Sequence, residues 1–316
     1  MSLRSLATRW RNARRDLRRR VAARFVSDRA YVTHLYRKEF GRSPDLDHPS
    51  GFNEKILLKI LGDRRPFLTL FSDKLRVREY VQRVAPFVAL PTLYWWSDRA
   101  DALDLAALPE SFVLKPNHGS GWLRVVDDRT AVRRDELVRL AREWLASDFT
   151  IVGREWAYRD IRRAVYAEEL LRGADGGLPA DYKLFVFGGK VRLIQVDRDR
   201  FARHTQVLYD EHWNAIDGTV RAAQGQPLPA PTSLAAMIAA AEALSARVDF
   251  VRVDLYDIDG KPYFGEFTHY PNKGLNRFQP ASLDELLGSY LRLDDYAHDA
   301  VSGSVQLRAT GASGSR

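Results

Sequence analysis

The chain has 316 residues, 45% hydrophobic and 28% charged, with no cysteine and a formal net charge of +8. That length allows one large domain or two to three modest ones with ample core, and the absence of cysteine excludes a disulfide framework, a thiol nucleophile and Cys-ligated zinc. With no run of about 18 apolar residues and no apolar N-terminal stretch, neither a membrane span nor a secretory signal is expected, and the expected location is the cytoplasm.

Residues 1–24 hold nine arginines against Asp16 alone, which is the whole net charge, and the rest of the chain is formally neutral. Leu3, Leu6, Trp10, Leu17, Val21 and Phe25 recur at helical spacing, so residues 1–30 read as a basic amphipathic arm suited to an anionic membrane surface, such as the inner face of the membrane. A solvated or partly disordered arm is the alternative. Nucleic acid is not an expected partner, because no aromatic stacking platform accompanies the charge.

Helical periodicity follows over 31–40, 52–61 and 73–84, which makes 31–111 a mainly helical N-terminal region with apolar strand-like segments near 90–96 and 112–114. A helix is predicted over 131–146, a strand over 165–171 and a Gly-rich connection over 172–179. Gly188 and Gly189 between two apolar runs predict a hairpin, since both can take positive φ. A Pro-rich linker at 224–231 leads to an Ala-rich helix at 233–247. Residues 302–316 are a polar Gly/Ser tail expected to be disordered.

Two segments carry chemistry. In the stretch from Arg252 to Glu266, Asp259-Gly260 signals a second hairpin. A three-residue connection, Asp259 to Lys261, would set Asp254 opposite Glu266 on one face, whereas a two-residue turn would send them to opposite faces. Carboxylates on neighbouring strands suit a Mg²⁺ shared with phosphate oxygens. Upstream, the apolar strand Phe112-Val113-Leu114 delivers Lys115 to the loop Asn117-His118-Gly119-Ser120-Gly121. There glycine backbone N–H groups can approach phosphate and a lysine on a rigid strand adds fixed charge. A Walker A motif is absent, and a tight turn would use the same glycines.

The order of these segments resembles the ATP-grasp superfamily. More closely, the chain is similar to the TupA-like ATP-grasp family of surface-polysaccharide and teichuronopeptide biosynthesis. The likeness rests on Phe52-Asn53-Glu54-Lys55, Asp73-Lys74 with Val77 to Val81, Lys115 with Asn117 to Gly121, Gly153-Arg154-Glu155-Trp156, Asp181-Tyr182-Lys183, Asp197 with Asp199-Arg200-Phe201, His204-Thr205, Tyr209-Asp210 with Trp213, and Gly265-Glu266. It implies an α+β fold in which ATP lies between two α+β subdomains, at 112–171 and 172–301, behind a helical N-terminal region.

By the same resemblance, Lys74 and Lys115 reach phosphates, with His118, Gly119, Ser120 and Gly121 closing over them. Glu168, Glu169, Leu170 and Leu171 form the adenine or ribose hinge. Asp254 and Glu266 hold Mg²⁺, with Thr268 where many ATP-grasp enzymes have a further ligand asparagine. Arg252 and Lys183 are the expected catalytic cations; the nine lysines against forty arginines suggest that Lys74, Lys115 and Lys183 answer a need for a compact point charge. Arg200 and His204 are candidates for substrate binding. The implied activity is carboxylate–amine ligation through an acyl phosphate, on substrates that are polymer- or lipid-linked in the family's setting. Asp197-Arg198-Asp199 and Asp257-Ile258-Asp259 leave a metal-dependent glycosyltransferase as an alternative. Thr268 leaves a non-catalytic nucleotide-binding module, and the ATP site itself would equally serve a kinase acting on a hydroxyl. The histidines lack His-Glu-x-x-His spacing and no Gly-x-Ser-x-Gly elbow occurs, so neither a zinc hydrolase nor an α/β-hydrolase is expected.

Overall fold

A computed structural model describes residues 25–173, 176–198 and 204–293. The expectations for the arm at 1–24, for Asp199 and Arg200, and for the tail at 302–316 lie outside the described residues. Residues 28–30, assigned above to the arm, instead open the helix Asp28–Phe40, where the Ser27 hydroxyl accepts the N–H of Ala30 at 3.3 Å as an N-cap.

The larger of two sheets runs β11-β10-β5-β6-β7-β8, with β9 (Ala223–Gln224) pairing β7. Its centre is β5 (Asp181–Phe187), β6 (Lys190–Arg198) and β10 (Phe250–Ile258), with β7 (Thr205–Tyr209) and β8 (Ala215–Ile216) on one side and β11 (Lys261–Thr268) on the other. Side chains alternate between its faces. Tyr182, Leu184 and Val186 share one face with Ile194, Val196, Val251, Val253 and Leu255, and the helix Leu234–Leu244 covers it through Met237, Ala240, Ala241 and Leu244. Those four recur at the i, i+3, i+4, i+7 spacing of one helical stripe.

The opposite face is divided along the strands. Phe185, Phe187, Leu193 and Phe250 form an apolar half, sealed by the helix Phe52–Gly62, whose Phe52 ring lies 4.9 Å from that of Phe250. Asp181, Lys183, Gln195, Asp197, Arg252 and Asp254 form a polar half that opens onto a cleft. Alternation within single strands thus produces both a core and a charged wall.

The smaller sheet has the order β1-β4-β2-β3, from Leu93–Ser97, Val165–Glu168, Phe112–Pro116 and Arg124–Val126. The helix Arg134–Ala146 buries Leu137, Val138, Ala141 and Trp144 against it. Because β1 pairs with β4, this unit takes in residues from 93 onward, ahead of the boundary expected at 112. The helices before it pack largely on the larger sheet.

Other differences have local causes. The helix predicted over 73–84 begins only at Val77, because Asp73 Oδ1 accepts the N–H groups of Leu75 and Arg76 and holds those residues in a turn, and a separate helix, Pro66–Ser72, precedes it. The strand expected over 165–171 ends at Glu168. β3, β7 and the helix Ser282–Tyr290 were not expected. Among the described residues, no helix is long and apolar enough to cross a membrane.

The two hairpins of the large sheet share one construction. Each turns in two residues with positive φ, Gly188 and Gly189 at 54° and 76°, Asp259 and Gly260 at 51° and 77°, as tight hairpins of matching twist require. Each then carries a bulge. Phe185 pairs with Leu193 and Val186 with Val191, which leaves Arg192 as the extra residue; Asp254 pairs with Glu266 and Leu255 with Phe264, which leaves Gly265. The expectation that Asp254 faces Glu266 therefore holds. The three-residue connection proposed for it is corrected to a two-residue turn plus a bulge.

Candidate active site

A cleft of about 1020 Å³ lies between the two sheets. One wall is the small sheet. β2 presents Lys115, whose ammonium donates to Glu168 Oε1 at 2.6 Å, and Arg78 lies 3.6 Å from the other oxygen of Glu168. The backbone then turns through Asn117, whose side chain donates to Asp73 Oδ1 and the Arg162 carbonyl and accepts the N–H of Ala164. This junction fixes Lys74 beside the glycine loop, where its ammonium donates to the Gly119 carbonyl at 2.6 Å and lies 3.1 Å from Glu266 Oε2. Lys74 thus touches both walls at once.

The glycines of the loop are needed for different reasons. A Cβ on Gly119 would lie 2.8 Å from the Trp122 ring, while Gly121 has φ of 73°. Gly119, Ser120 and Gly121 line the cleft, as do Glu168, Glu169, Leu170 and Leu171 at its far end. Glu169 accepts from the N–H and hydroxyl of Thr92, which anchors that segment to the approach to β1. His118 is placed differently from its expected role. Its buried ring lies 3.2 Å from Asn117 Oδ1 and 3.1 Å from the Trp144 carbonyl, outside the cleft lining, and burial lowers its pKa to about 4. It packs the loop from behind.

The other wall is the polar half of the large sheet. Arg252 donates two hydrogen bonds to Asp254, at 2.7 and 2.6 Å, and a third to the Thr268 hydroxyl at 3.0 Å. Thr268, expected as a metal ligand, is here a partner of Arg252. Lys183 donates to Asp181 Oδ2 at 2.5 Å and to Asp197 Oδ2, and is engaged in the wall in place of the open catalytic cation expected. Asp197 also accepts from Gln195, and His204 Nε2 lies 3.2 Å from its Oδ1. Burial alone would raise the Asp197 carboxyl, but the charge and hydrogen bond of Lys183 outweigh it and lower it to about 2. An Asp197 so committed to Lys183 is a poor start for a glycosyltransferase metal site.

Asp254 and Glu266 face one another across β10 and β11, and their electrostatics are opposite. Burial raises the Asp254 carboxyl even with Arg252 beside it. For Glu266 the burial penalty is outweighed by Lys74 and Arg252, and the carboxyl is lowered. Two carboxylates paired across β10 and β11, with the Glu266 side chain 28% exposed to the cleft, fit a divalent cation. Two carboxylates leave most of an octahedral shell to other oxygens, the pattern in which Mg²⁺ is held with substrate phosphates. Among the described residues no group of three or more His, Cys, Asp or Glu offers a self-sufficient metal cage.

The sequence profile described as TupA-like ATPgrasp matches residues 54–292. The chain belongs to the TupA-like ATP-grasp family. Among solved structures this TupA-like protein is similar to an ATP complex of D-alanine–D-alanine ligase from Bacillus anthracis, at 20% identity and TM-score 0.39, over 64% of this chain and 56% of that one. It is also similar to an L-amino acid ligase from Bacillus licheniformis, at 18% identity and TM-score 0.41, over 79% and 55%. The chain matches little more than half the length of these structures. Comparison with curated proteins finds no match.

Several residues of the TupA-like cleft had no role assigned from sequence. Asp181, Gln195 and Gln206 complete the charged wall, and their signal was polar residues at every second position of otherwise apolar strands. Glu155 also lines the cleft. Burial raises its carboxyl to about 7, against the lowering effect of Lys273 and then Lys74. The folded protein therefore binds this proton more tightly than the unfolded chain does. The contribution to stability is full below the ordinary value of 4.5 and is lost as pH rises through about 7. Glu155→Gln is expected to flatten the decline in urea midpoint between about pH 5 and 8. Parallel curves for the two proteins would show that this carboxyl does not titrate there.

Proposed function

We propose that the protein is an ATP-dependent carboxylate–amine ligase that forms an amide through an acyl phosphate, in the assembly of a cell-surface polysaccharide or peptide-like polymer. The observation that carries this reading is the meeting of Lys74, Lys115 and the Gly119–Gly121 loop from one wall with Arg252, Asp254 and Glu266 from the other. Phosphoryl transfer needs chiefly in-line positioning and positive charge around the γ-phosphate. Lys74 and Lys115 would supply point charge and the loop backbone N–H groups, while Arg252, held against Asp254 and Thr268, would stabilise charge on the transferring group. Asp254 and Glu266 would hold Mg²⁺, which neutralises phosphate charge when bound. In the reaction a substrate carboxylate oxygen bonds to the γ-phosphorus as ADP leaves. The amine nitrogen then bonds to the acyl carbon, phosphate leaves, and the nitrogen loses a proton.

Glu168 to Leu171 would contact adenine or ribose, and His204, which also lines the cleft, would contact the substrate. Peripheral contact with an anionic membrane through residues 1–24 would bring a lipid-linked acceptor to the enzyme; that part of the reading rests on charge and on the family. Mg·ATP is expected to raise the melting temperature while UDP-sugars leave it unchanged, because only a ligand that binds the folded state shifts that equilibrium. ADP release should require both a carboxylate and an amine. Lys115→Met is expected to weaken ATP protection at least about tenfold in concentration, the scale of a charge-assisted phosphate contact. Protection by a UDP-sugar in place of ATP would favour the glycosyltransferase reading.

A further inference from the structure

Lys74 has a backbone that is tied down and a side chain that can swing. Its N–H donates to the Asn117 carbonyl at 3.3 Å. The Asp73 carboxylate beside it accepts from the Asn117 side chain and from the N–H groups of Leu75 and Arg76. From this anchor the ammonium reaches two partners on different walls, the Gly119 carbonyl at 2.6 Å and Glu266 Oε2 at 3.1 Å. Lys115 is engaged differently. Its partner Glu168 stands on β4, the strand paired with its own, so that contact joins nothing across the cleft. Lys74 ties the glycine loop to β11 through one charge.

The tie carries a chemical bias. An ammonium has three N–H donors, and two of them are committed here. The side chains of Lys74 and Glu266 are 16% and 28% exposed, so water screens the pair only in part. Burial opposes ionisation of Glu266, but Lys74, and after it Arg252, outweighs that and keeps the carboxyl low. A nucleotide phosphate arriving without a cation must draw Lys74 away from Glu266 and then lie beside an ionised carboxylate, and both weaken binding. With a divalent cation on Glu266 the carboxylate is neutralised from the cleft side, and Lys74 can turn to phosphate without leaving an unpaired charge behind.

We propose that the Lys74–Glu266 pair is a metal-sensing latch. It makes the cleft select Mg²⁺-bound nucleotide over free nucleotide, and it holds the glycine loop to the large sheet until a divalent cation takes Glu266. Metal and loop are coupled because one ammonium serves both. The inference rests on the ATP-site reading above and adds a selectivity to it that comes from the double engagement of Lys74.

The test titrates the full chain with ADP by calorimetry, in EDTA and in MgCl₂. Wild type is expected to bind ADP on the order of tenfold more tightly with the metal, within the usual range for coupled ligands. Glu266→Gln should tighten binding in EDTA and remove most of the gain from MgCl₂. In the Lys74→Met background the same substitution should tighten binding in EDTA by a factor about fivefold smaller. Repulsion from Glu266 is relieved in both backgrounds, but an ion pair is dissolved in only one of them. A second measurement needs no variant: MgCl₂ alone should speed hydrogen exchange in the wild-type segment 117–123 as the tie to β11 is cut. Equal tightening in the two backgrounds, or loop exchange that MgCl₂ leaves unchanged or slows, would overturn the latch while leaving the ATP site standing. A wild-type protein that binds ADP in neither solution would overturn both.

Discussion

Replacing Glu266 by Gln is expected to lower ATP turnover by a factor on the order of 10² to 10³ or more, the scale seen when one preorganised electrostatic contact to a reacting group is lost. The substitution preserves volume and the Glu266 position on β11 while removing a metal-facing charge and the ionic partner of Lys74. The urea midpoint should fall only modestly at neutral pH, because the substitution removes the favourable charge of Lys74 and Arg252 on this carboxylate but leaves both cores intact. Turnover near that of wild type would exclude Glu266 from the phosphoryl-transfer machinery. Large loss of stability would assign its role to holding Lys74 and the two walls together.

Lys183→Met is expected to have the largest effect on folding. Lys183 lies between Asp181 and Asp197 with almost no exposure, so its removal leaves two carboxylates facing each other in a buried wall. Breaking a buried ion pair from one side costs about 3–5 kcal/mol, because the surviving charge loses its compensation without regaining water. Adding Asp197→Asn to Lys183→Met should recover a good part of that loss, since it removes one of the uncompensated charges. Urea midpoints of the single and double variants check both statements. A single variant as stable as wild type would mean that water reaches the cluster and solvates it.

What could be read from sequence followed from how local each signal was. Alternation and glycine pairs located both hairpins of the large sheet, and an apolar strand followed by glycines located Lys115 and its loop. Facing was harder. His118 stands in the same loop as Gly119, yet its ring turns to the end of the helix Arg134–Ala146, and adjacency in sequence carries no information about which side of a loop is lined. Lys183 was identified by its rarity of type, but its partners Asp181 and Asp197 come from its own strand and the next. Only pairing register shows that all three share a face. Glu155 and Lys273 are 118 positions apart in the sequence and meet over a glycine, a relation that no periodicity encodes.

The outcome for Asp254 and Glu266 is the most instructive. The right facing was expected for the wrong reason, because an isolated glycine in a strand was not read as a bulge. Gly265 is where that signal lay: a Cβ there would sit 3.0 Å from the Asp254 carbonyl oxygen, so the bulge admits little else.

Both hairpins therefore obey a rule of parity. The wall of the cleft is assembled from odd and even positions that are brought into phase by one extra residue at Arg192 and one at Gly265. Loss or gain of a single residue between either turn and the charged positions beyond it would invert the side on which Gln195 and Asp197, or Glu266, emerge, and would exchange charge for core. Changes by two would restore the phase. Length variation in these two strands should be tolerated in even steps only, so that the spacing from turn to carboxylate is as much a part of the site as the carboxylate itself.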